Sequence, residues 1–168
     1  MTKQVDSEES DLRFGLVPQE LAFEKPAIEL FRMMLRGEIP QPPISRTLNF
    51  KLTEASEGRA VFRGTPLTDF YNPMGSVHGG WAATLLDSSL GCAVHTMLPA
   101  GIGYSTVEFK IHIVRPMFEK TGEVICEGKI VHLGRTIATS EASIRTAEGK
   151  LIAHGTETCA IFPLPKPE

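Results

Sequence analysis

Residues 78–98 read HGGWAATLLDSSLGCAVHTML, and this stretch decides the fold. When it is wound as a helix, its apolar side chains fall on nearly all sides and do not form a single stripe. A helix with this distribution is typically buried in a protein core. We therefore predict a central buried helix of about 19 residues, about 28 Å long.

Segments in which apolar and polar residues alternate flank this helix, and they predict strands. The alternation begins at Thr47, where Leu48, Phe50 and Leu52 are separated by polar residues, and it returns at Val107. The strand candidates are residues 47–52, 59–64, 107–113, 122–132, 135–146 and 150–162. One long buried helix with mainly antiparallel strands predicts an α+β fold in which an antiparallel sheet wraps around the helix.

The N-terminal part has a different pattern. Residues 1 to about 17 are acidic and have few apolar partners, which is typical of a flexible tail. Pro26 and Gly37 bound an amphipathic helix over residues 26–36, and a proline-rich loop follows it. We divide the chain into an N-terminal tail and short helix (1–45), a main domain (46–163) and a C-terminal tail (164–168).

Composition and charge exclude several classes of protein. The chain has 168 residues, 42% of them hydrophobic, and a net charge of -3, which suits one domain with a real core. This balance argues against a nucleic-acid partner held by phosphate contacts. The sequence shows neither an apolar run of membrane-spanning length nor a signal-peptide pattern. We therefore expect a cytoplasmic protein without a membrane partner.

Cysteine and histidine spacing gives no sign of a metal site. Cys92, Cys126 and Cys159 stand in apolar surroundings without a CxxC pattern, so we expect reduced thiols packed in the core. The five histidines show no ligand spacing such as HExxH. We expect neither a metal nor a cofactor.

Asp87 is the strongest candidate for chemistry. It is the only charged residue among the 38 residues from Phe70 to Val107. One alternative is a structural carboxylate satisfied by Thr84, Ser88 or Ser89. However, the backbone in mid-helix offers no spare N–H, and a buried aspartate is rare unless it is paired or functional. We therefore interpret Asp87 as a site carboxylate.

The loop NPMGSVHGG, residues 72–80, leads into the helix. Gly79 and Gly80 lie in its first turn, where backbone N–H groups lack partners and can hold a carbonyl oxygen that gains negative charge. Asn72 can donate an amide hydrogen bond to the same region. Gly79 and Asp87 are about 12 Å apart along the helix axis, so one reaction that uses both requires two copies of the chain. This separation predicts a homodimer with a shared site.

Three segments carry a resemblance to a known family: NPMGSVHGGWAATLLDSSLG, TVEFKIHIVRP and HLGRTIATSEASI. Over residues 45–162 the chain resembles hotdog-fold thioesterases, and more narrowly the phenylacetate-pathway (PaaI-type) acyl-CoA thioesterases. The resemblance implies a hotdog fold, hydrolysis of an acyl-CoA to a free acid and CoA, and no cofactor. We expect at least a homodimer, with two dimers pairing into a homotetramer.

The resemblance also implies catalytic roles. The Gly79 N–H would bind the thioester carbonyl, and Asn72 would assist at that carbonyl and at the leaving sulfur. Asp87 of the partner subunit would orient or deprotonate the attacking water, or would itself attack. His78 would support the site by position or by hydrogen bonding, although an imidazole at a helix start could also act as a base.

A hydroxyl at the start of the next strand would hold the attacking water in such enzymes. Counting back from the proline of IVRP selects Thr106, and counting forward from Asp87 selects Ser105; we prefer Thr106. For binding of substrate and CoA, the resemblance implies a basic turn that meets the CoA phosphates. The candidate binding residues are Gly80, Ser105, Arg115, Gly134, Arg135 and Thr136, with Arg135 preferred over Arg115.

Two other functions compete with thioester hydrolysis. A non-catalytic acyl-CoA sensor of this fold usually carries an added DNA-binding helix pair, and one short N-terminal helix is too little for that. A 3-hydroxyacyl thioester dehydratase needs a histidine and a carboxylate acting together, whereas His78 and Asp87 point about 180° apart on a helix. The acyl group stays open between an aromatic one, such as phenylacetyl, and a medium-chain or long-chain fatty acyl group. The first 45 residues are candidates for shaping its pocket.

Overall fold

Six antiparallel strands form one sheet in the computed structural model, which describes residues 12–165. The sheet order is β1-β2-β4-β5-β6-β3, so that β1 and β3 are its edges. The strands are β1 (Phe50–Ser56), β2 (Arg59–Gly64), β3 (Ile102–Ile113), β4 (Val124–Leu133), β5 (Ile137–Thr146) and β6 (Leu151–Pro163).

The predicted central helix is present as α4 (Gly79–His95), which packs against the five strands β2 to β6. Leu85, Leu86 and Leu90 are fully buried between this helix and the sheet. Truncating one such leucine to alanine typically costs about 2–5 kcal/mol of folding stability. The α+β hotdog arrangement, an antiparallel sheet around a long helix, is confirmed.

The helix and the sheet approach each other most closely at Gly128 of β4. A Cβ atom at this position would overlap the backbone carbonyl oxygen of Ser89. Beside this contact, the Cys126 sulfur lies 2.9 Å from the Ser89 hydroxyl oxygen, and both side chains are buried. Only a residue without a side chain lets α4 lie this close to β4.

Three short helices precede the sheet: α1 (Gln19–Glu24), α2 (Ala27–Leu35) and α3 (Pro43–Thr47). Helix α2 confirms the amphipathic helix predicted over residues 26–36, and its Phe31 ring packs on His95 of α4 at 5.4 Å. Helix α1 was not predicted from the sequence pattern. Helix α3 was not predicted either: the sequence pattern places its first residue, Pro43, at the end of a proline-rich loop, but a proline in the first turn of a helix loses no hydrogen bond.

The first and third strands differ from their predicted starts. Strand β1 begins at Phe50 and not at Thr47, because Thr47 ends α3 and Asn49 adopts a left-handed conformation, with φ of 51°. Strand β3 begins at Ile102, five residues before the predicted start at Val107. The sequence GYST in its first half does not alternate, so periodicity could not reveal it. The predicted strands β4, β5 and β6 agree within two residues.

Part of the predicted N-terminal tail is attached to the fold. Gly15 N–H donates to the Gln41 carbonyl oxygen at 2.9 Å, and Gln41 N–H donates to that of Arg13 at 2.8 Å. At the other end, Leu164 N–H donates to the Gly101 carbonyl oxygen at 2.9 Å. The remaining tail predictions, for residues 1–11 and 166–168, lie outside the described residues.

The edge strand β3 exposes apolar side chains along its length. Val107 is 62% exposed, and Phe109 and Ile113 are each more than 40% exposed. A long edge strand leaves a row of backbone N–H and C=O groups unpaired, which together with apolar side chains favours pairing with another chain. Among residues 12–165, no helix is long and apolar enough to cross a membrane.

Candidate active site

The start of α4 presents one backbone N–H without an acceptor. His78 is the N-cap residue, and its Nδ1 accepts a hydrogen bond from Gly80 N–H at 2.9 Å. For Gly79 N–H, no acceptor is found within residues 12–165. This N–H stands at the positive end of the helix dipole and can therefore bind a developing negative charge on a carbonyl oxygen.

The hydrogen bond between Gly80 N–H and His78 Nδ1 defines the roles of these two residues. Because Nδ1 accepts, the proton of the neutral imidazole lies on Nε2. His78 thus supports the helix start by hydrogen bonding, in keeping with the positional role that the resemblance implies. The N–H of Gly80 is already bonded to His78, which leaves Gly79 as the candidate donor to substrate.

Asn72 lies in the same loop, but its side chain is engaged in a local turn. Its Nδ2 donates to Ser76 Oγ at 3.0 Å, and its Oδ1 accepts from Met74 N–H at 2.9 Å. The single chain therefore does not direct the Asn72 amide to Gly79. Its predicted contact with a thioester stays a prediction, and the turn itself shapes the entrance to α4.

Asp87 lies in the middle of α4 and is half-buried. Burial raises the pKa of Asp87, and a hydrogen bond from Thr106 partly opposes that rise. Thr84 and Ser89 donate their hydroxyl hydrogens to carbonyl oxygens of α4 and not to Asp87. No ion pair of Asp87 is found in the described part of the chain. Thr84 and Ser89, two of the residues that a purely structural carboxylate would use as partners, therefore do not bind Asp87.

Thr106 of β3 brings a hydroxyl group to Asp87. The distance from Thr106 Oγ1 to Asp87 Oδ1 is 3.5 Å. The pairing of β3 with β6 shifts between Thr106 and Glu108, and such bulges often re-aim a side chain. Ser105 precedes Thr106 in the strand, so its side chain points to the opposite face of the sheet. The geometry favours Thr106 over Ser105 as the hydroxyl near Asp87.

Glu157 of β6 is a site residue that the sequence analysis missed. It is only 2% exposed, and its Oε1 accepts from Thr106 Oγ1 at 2.8 Å and from Cys159 Sγ at 3.0 Å. Burial raises the pKa of Glu157; the hydrogen bonds from Cys159 and Thr106 oppose this rise, and repulsion from Asp87 adds to it. Alternation along the strand could have revealed it. Glu157 is four residues from Ala153 on β6, so both side chains point to the inward face of the sheet.

The predicted CoA-binding turn joins β4 to β5. Gly134 N–H donates to the Ile137 carbonyl oxygen at 2.8 Å, and Arg135 and Thr136 are exposed at the tip. Together with residues after α4, the turn lines a cavity of about 430 Å³. Arg135 makes no side-chain hydrogen bond or ion pair with the residues that the structure describes. Arg115, by contrast, donates to the Leu151 carbonyl oxygen.

A larger cavity, of about 450 Å³, lies between the N-terminal segment, α2 and the second half of α4. Burial lowers the pKa of His95 to about 4 and raises the pKa of Cys92 to about 12, so both side chains are neutral near pH 7. The cavity is therefore suited to an apolar group. Its lining includes Phe23, Leu30, Phe31, Met34, Cys92 and His95.

A single chain does not bring the two halves of the candidate site together. Gly79 and Asp87 are eight residues apart on one continuous helix, about 12 Å along its axis. Asp87 instead lies with Thr106 and Glu157, and Gly79 lies at the loop that carries His78.

Comparisons with known proteins identify the family of this chain. The model of the thioesterase superfamily matches residues 74–153, which include Gly79, Asp87 and Thr106. A Halobacterium salinarum protein is 31% identical over 115 residues, which are 66% of this chain and 74% of its own. A Saccharolobus solfataricus protein is 32% identical over 108 residues, 64% of this chain and 75% of its own. Both carry provisional esterase names.

Solved structures share the fold. A phenylacetic acid degradation-related protein of Ralstonia eutropha, provisionally a thioesterase, is 28% identical, with a TM-score of 0.70 over 77% of this chain and 98% of its own. A thioesterase from Haemophilus influenzae is 22% identical, with a TM-score of 0.67 over 73% of this chain and 85% of its own; this likeness concerns the fold alone. With two relatives above 30% identity, each matched over about three quarters of its length, the chain belongs to the thioesterase superfamily.

Proposed function

We propose that this protein hydrolyses acyl-CoA thioesters to a free acid and CoA. The observation that carries the proposal is the half-buried Asp87 carboxylate, which has no ion-pair partner among residues 12–165 and which contacts the Thr106 hydroxyl. The free Gly79 N–H supplies a donor for the carbonyl oxygen. A base or nucleophile together with a carbonyl-oxygen donor meets the needs of acyl transfer to water.

The reaction uses these groups in sequence. The thioester oxygen accepts from Gly79 N–H, which makes the carbonyl carbon a better target and stabilises the charge on its oxygen. Asp87 then either removes a proton from the attacking water or attacks the carbon itself to form an anhydride that water cleaves. In both routes the carbon–sulfur bond breaks, and the sulfur leaves as the CoA thiolate and takes up a proton. The Thr106 hydroxyl orients the carboxylate.

The complete site is proposed to form between two subunits. The separation of about 12 Å means that Gly79 of one copy and Asp87 of another serve one thioester. The edge strand β3 supports this, because pairing would cover Val107 and Phe109 and satisfy the free backbone groups. Pairing of two such dimers into a tetramer is part of the same proposal.

The apolar cavity supports an assignment for the acyl group. Its volume of about 450 Å³ lies within the usual range of about 300–1,000 Å³ for ligand pockets. On α4 it begins at Cys92, about 7.5 Å along the axis beyond Asp87. An aromatic acyl group or a fatty acyl chain would lie there, with the N-terminal segment and α2 as one wall. The Arg135 guanidinium, on the turn at the far end of α4, would meet the CoA phosphates.

Release of free thiol tests the proposal directly. A panel of aromatic and straight-chain acyl-CoA substrates should yield CoA with the wild-type protein and far less with Asp87→Asn. Saturable binding of acyl-CoA without thiol release would instead indicate a sensor. Interconversion of 3-hydroxyacyl-CoA and enoyl-CoA without thiol release would indicate a dehydratase.

A further inference from the structure

Glu157 has no part in the hydrolysis proposed above, although it touches the residue that orients Asp87. Its side chain is 2% exposed, and its Oε2 has no hydrogen-bond partner among the residues described. No lysine, arginine or histidine of the described segment forms an ion pair with it. An ionised carboxylate buried in this way would be strongly unfavourable.

The groups that face Glu157 carry no positive charge. Burial raises the pKa of Cys92 to about 12 and raises the pKa of Tyr104, so that both groups stay neutral. Ser140, the register partner of Glu157 on β5, is buried and has an unpartnered hydroxyl oxygen. The surrounding titratable and polar groups are Asp87 and Cys92 of α4, Tyr104 and Thr106 of β3, Ser140 of β5, and Cys159 of β6.

The number of hydrogens available to the two contacts of Thr106 bears on the protonation of the carboxyl groups. Its hydroxyl oxygen lies 2.8 Å from a Glu157 oxygen and 3.5 Å from an Asp87 oxygen, and the hydroxyl carries one hydrogen. If both carboxyl groups were ionised, one of these two oxygen–oxygen contacts would contain no hydrogen. A second hydrogen on either carboxyl group gives each contact one. Glu157 is the more deeply buried of the two, at 2% exposed against the half-buried Asp87, so its ionised form is the more disfavoured and it is the group that keeps the proton.

We propose that Glu157 is held as a neutral carboxylic acid that donates its hydrogen to Thr106 Oγ1, so that the Thr106 hydroxyl points its own hydrogen at Asp87. Glu157 is then a positioning residue that acts through Thr106 and does not touch the substrate. The raised pKa of Glu157 is consistent with this state. The effect on catalysis rests on the function proposed above, whereas the protonation state of Glu157 does not.

This arrangement has a definite consequence for pH dependence. When Glu157 ionises, the Thr106 hydrogen turns toward the closer oxygen, that of Glu157, and Asp87 loses its hydrogen bond. The ionised Glu157 also places a second negative charge near Asp87. We therefore expect turnover to decline at alkaline pH as Glu157 loses its proton.

Two substitutions separate the neutral acid from the carboxylate. Glu157→Gln is permanently neutral and keeps a hydrogen-bond donor, so kcat should stay near the wild-type value and its alkaline decline should disappear. Glu157→Leu removes the donor, and kcat should fall about tenfold, the effect of one hydrogen bond, with KM nearly unchanged. Glu141→Gln, an exposed glutamate on β5, is the matched control and should behave as wild type.

Thermal melts test the protonation state without any activity measurement. A carboxyl group whose pKa is higher in the folded than in the unfolded state contributes stability below its unfolded pKa and loses it as pH rises through the folded pKa. The melting temperature of Glu157→Gln, relative to wild type, should therefore increase from weakly acidic to weakly alkaline pH. Glu141→Gln should show no such trend. Infrared spectra should show a protonated carboxyl band in wild type that Glu157→Gln lacks.

The alternative outcomes are distinct. A Gln variant as inactive as the Leu variant, with a melting difference independent of pH, would mean that Glu157 is ionised and would overturn the proposal. Wild-type kcat in Glu157→Leu would overturn the positioning role. If the Leu variant does not fold, the Gln variant and the infrared band still decide. If no acyl-CoA is hydrolysed by wild type, the proposed function fails while the melts still report the protonation state.

Discussion

Thr106 and Glu157 lie on neighbouring antiparallel strands, and the hydroxyl oxygen of one is 2.8 Å from a carboxyl oxygen of the other. The same hydroxyl contacts Asp87 on the central helix. Strand β3 therefore links a buried carboxyl group to a half-buried one. Substitutions on this strand should alter the chemistry of Asp87 without changing α4.

Replacing Thr106 by valine tests that link. The Thr106 hydrogen bond lowers the pKa of Asp87 against the effect of burial, so its removal should raise that pKa further. Because Asp87 must be ionised to act, the acidic limb of the pH dependence of kcat/KM should move to higher pH. Thr106→Ser keeps the hydroxyl and should keep the wild-type profile. An unshifted limb in the valine variant would show that the hydroxyl does not tune Asp87.

Asp87→Asn should separate chemistry from stability. The amide keeps the shape of the side chain but can neither attack nor accept a proton, so kcat should fall at least about 10²-fold. KM should change little. Because burial raises the pKa of Asp87, ionised Asp87 opposes folding, and the variant should melt within a few degrees of wild type or higher at neutral pH. Near-normal turnover, or a collapsed melting temperature, would return Asp87 to a structural role.

Gly79→Pro removes the proposed carbonyl donor with little expected effect on the fold. Gly79 is the first residue of α4, where proline is favoured, and His78 has the extended backbone that precedes proline well. Loss of one such donor typically lowers kcat about 10²–10³-fold. Gly79→Ala, which keeps the N–H, is the control for the added Cβ. Mixing Gly79→Pro with Asp87→Asn chains should restore one working site per mixed dimer, and no recovery after subunit exchange would count against a shared site.

The edge strand can be tested by placing a charge on it. Val107→Glu should weaken dimerisation, because two glutamates brought together by paired β3 strands would repel each other and lose water. Val131→Glu, on interior strand β4, is the matched control, since Val131 is 63% exposed and Val107 62%. Analytical ultracentrifugation should show loss of the β3-paired dimer for the first variant, whereas the second should keep that dimer, alone or paired into a tetramer. Unchanged sedimentation of both would place the interface elsewhere.

The acyl assignment predicts a specificity change from one cavity residue. Met34→Trp on α2 should fill part of the apolar cavity and raise KM for long apolar acyl-CoA substrates about tenfold or more. Acetyl-CoA, which is too short to reach the cavity, should show no change. Leu35→Trp substitutes the next residue of the same helix, which does not line this cavity, and serves as the control. If both variants raise KM equally, the cavity does not hold the acyl group.

Local patterns in the sequence predicted most of the fold. The all-round apolar helix, α2 and strands β4 to β6 were found because their periodicity depends only on neighbouring residues. Helix α3 was missed because its proline suggested a loop, and the early start of β3 was missed because GYST does not alternate.

The candidate site was predicted only in part. Asp87 stood out as a lone charge in an apolar segment, and the glycine pair marked the helix start. Glu157 did not stand out, because a glutamate among polar neighbours such as Thr156 and Thr158 resembles an exposed residue unless the alternation along the whole strand is followed. Its partner Thr106 is 51 residues away in the sequence, so only the folded sheet brings the two together.

The contact between Gly128 and Ser89 determines how closely α4 approaches β4. Asp87 reaches Thr106 of β3 across the gap between α4 and the sheet, and the same helix rests on β4 where the Ser89 carbonyl group meets Gly128. A methyl group at Gly128 would push α4 away from β4. We expect this shift to move Asp87 away from Thr106, although neither residue has changed. Under the proposed function, a residue that has no functional group thus helps to keep Asp87 and Thr106 in contact, and we expect Gly128→Ala to lower turnover as an active-site substitution does.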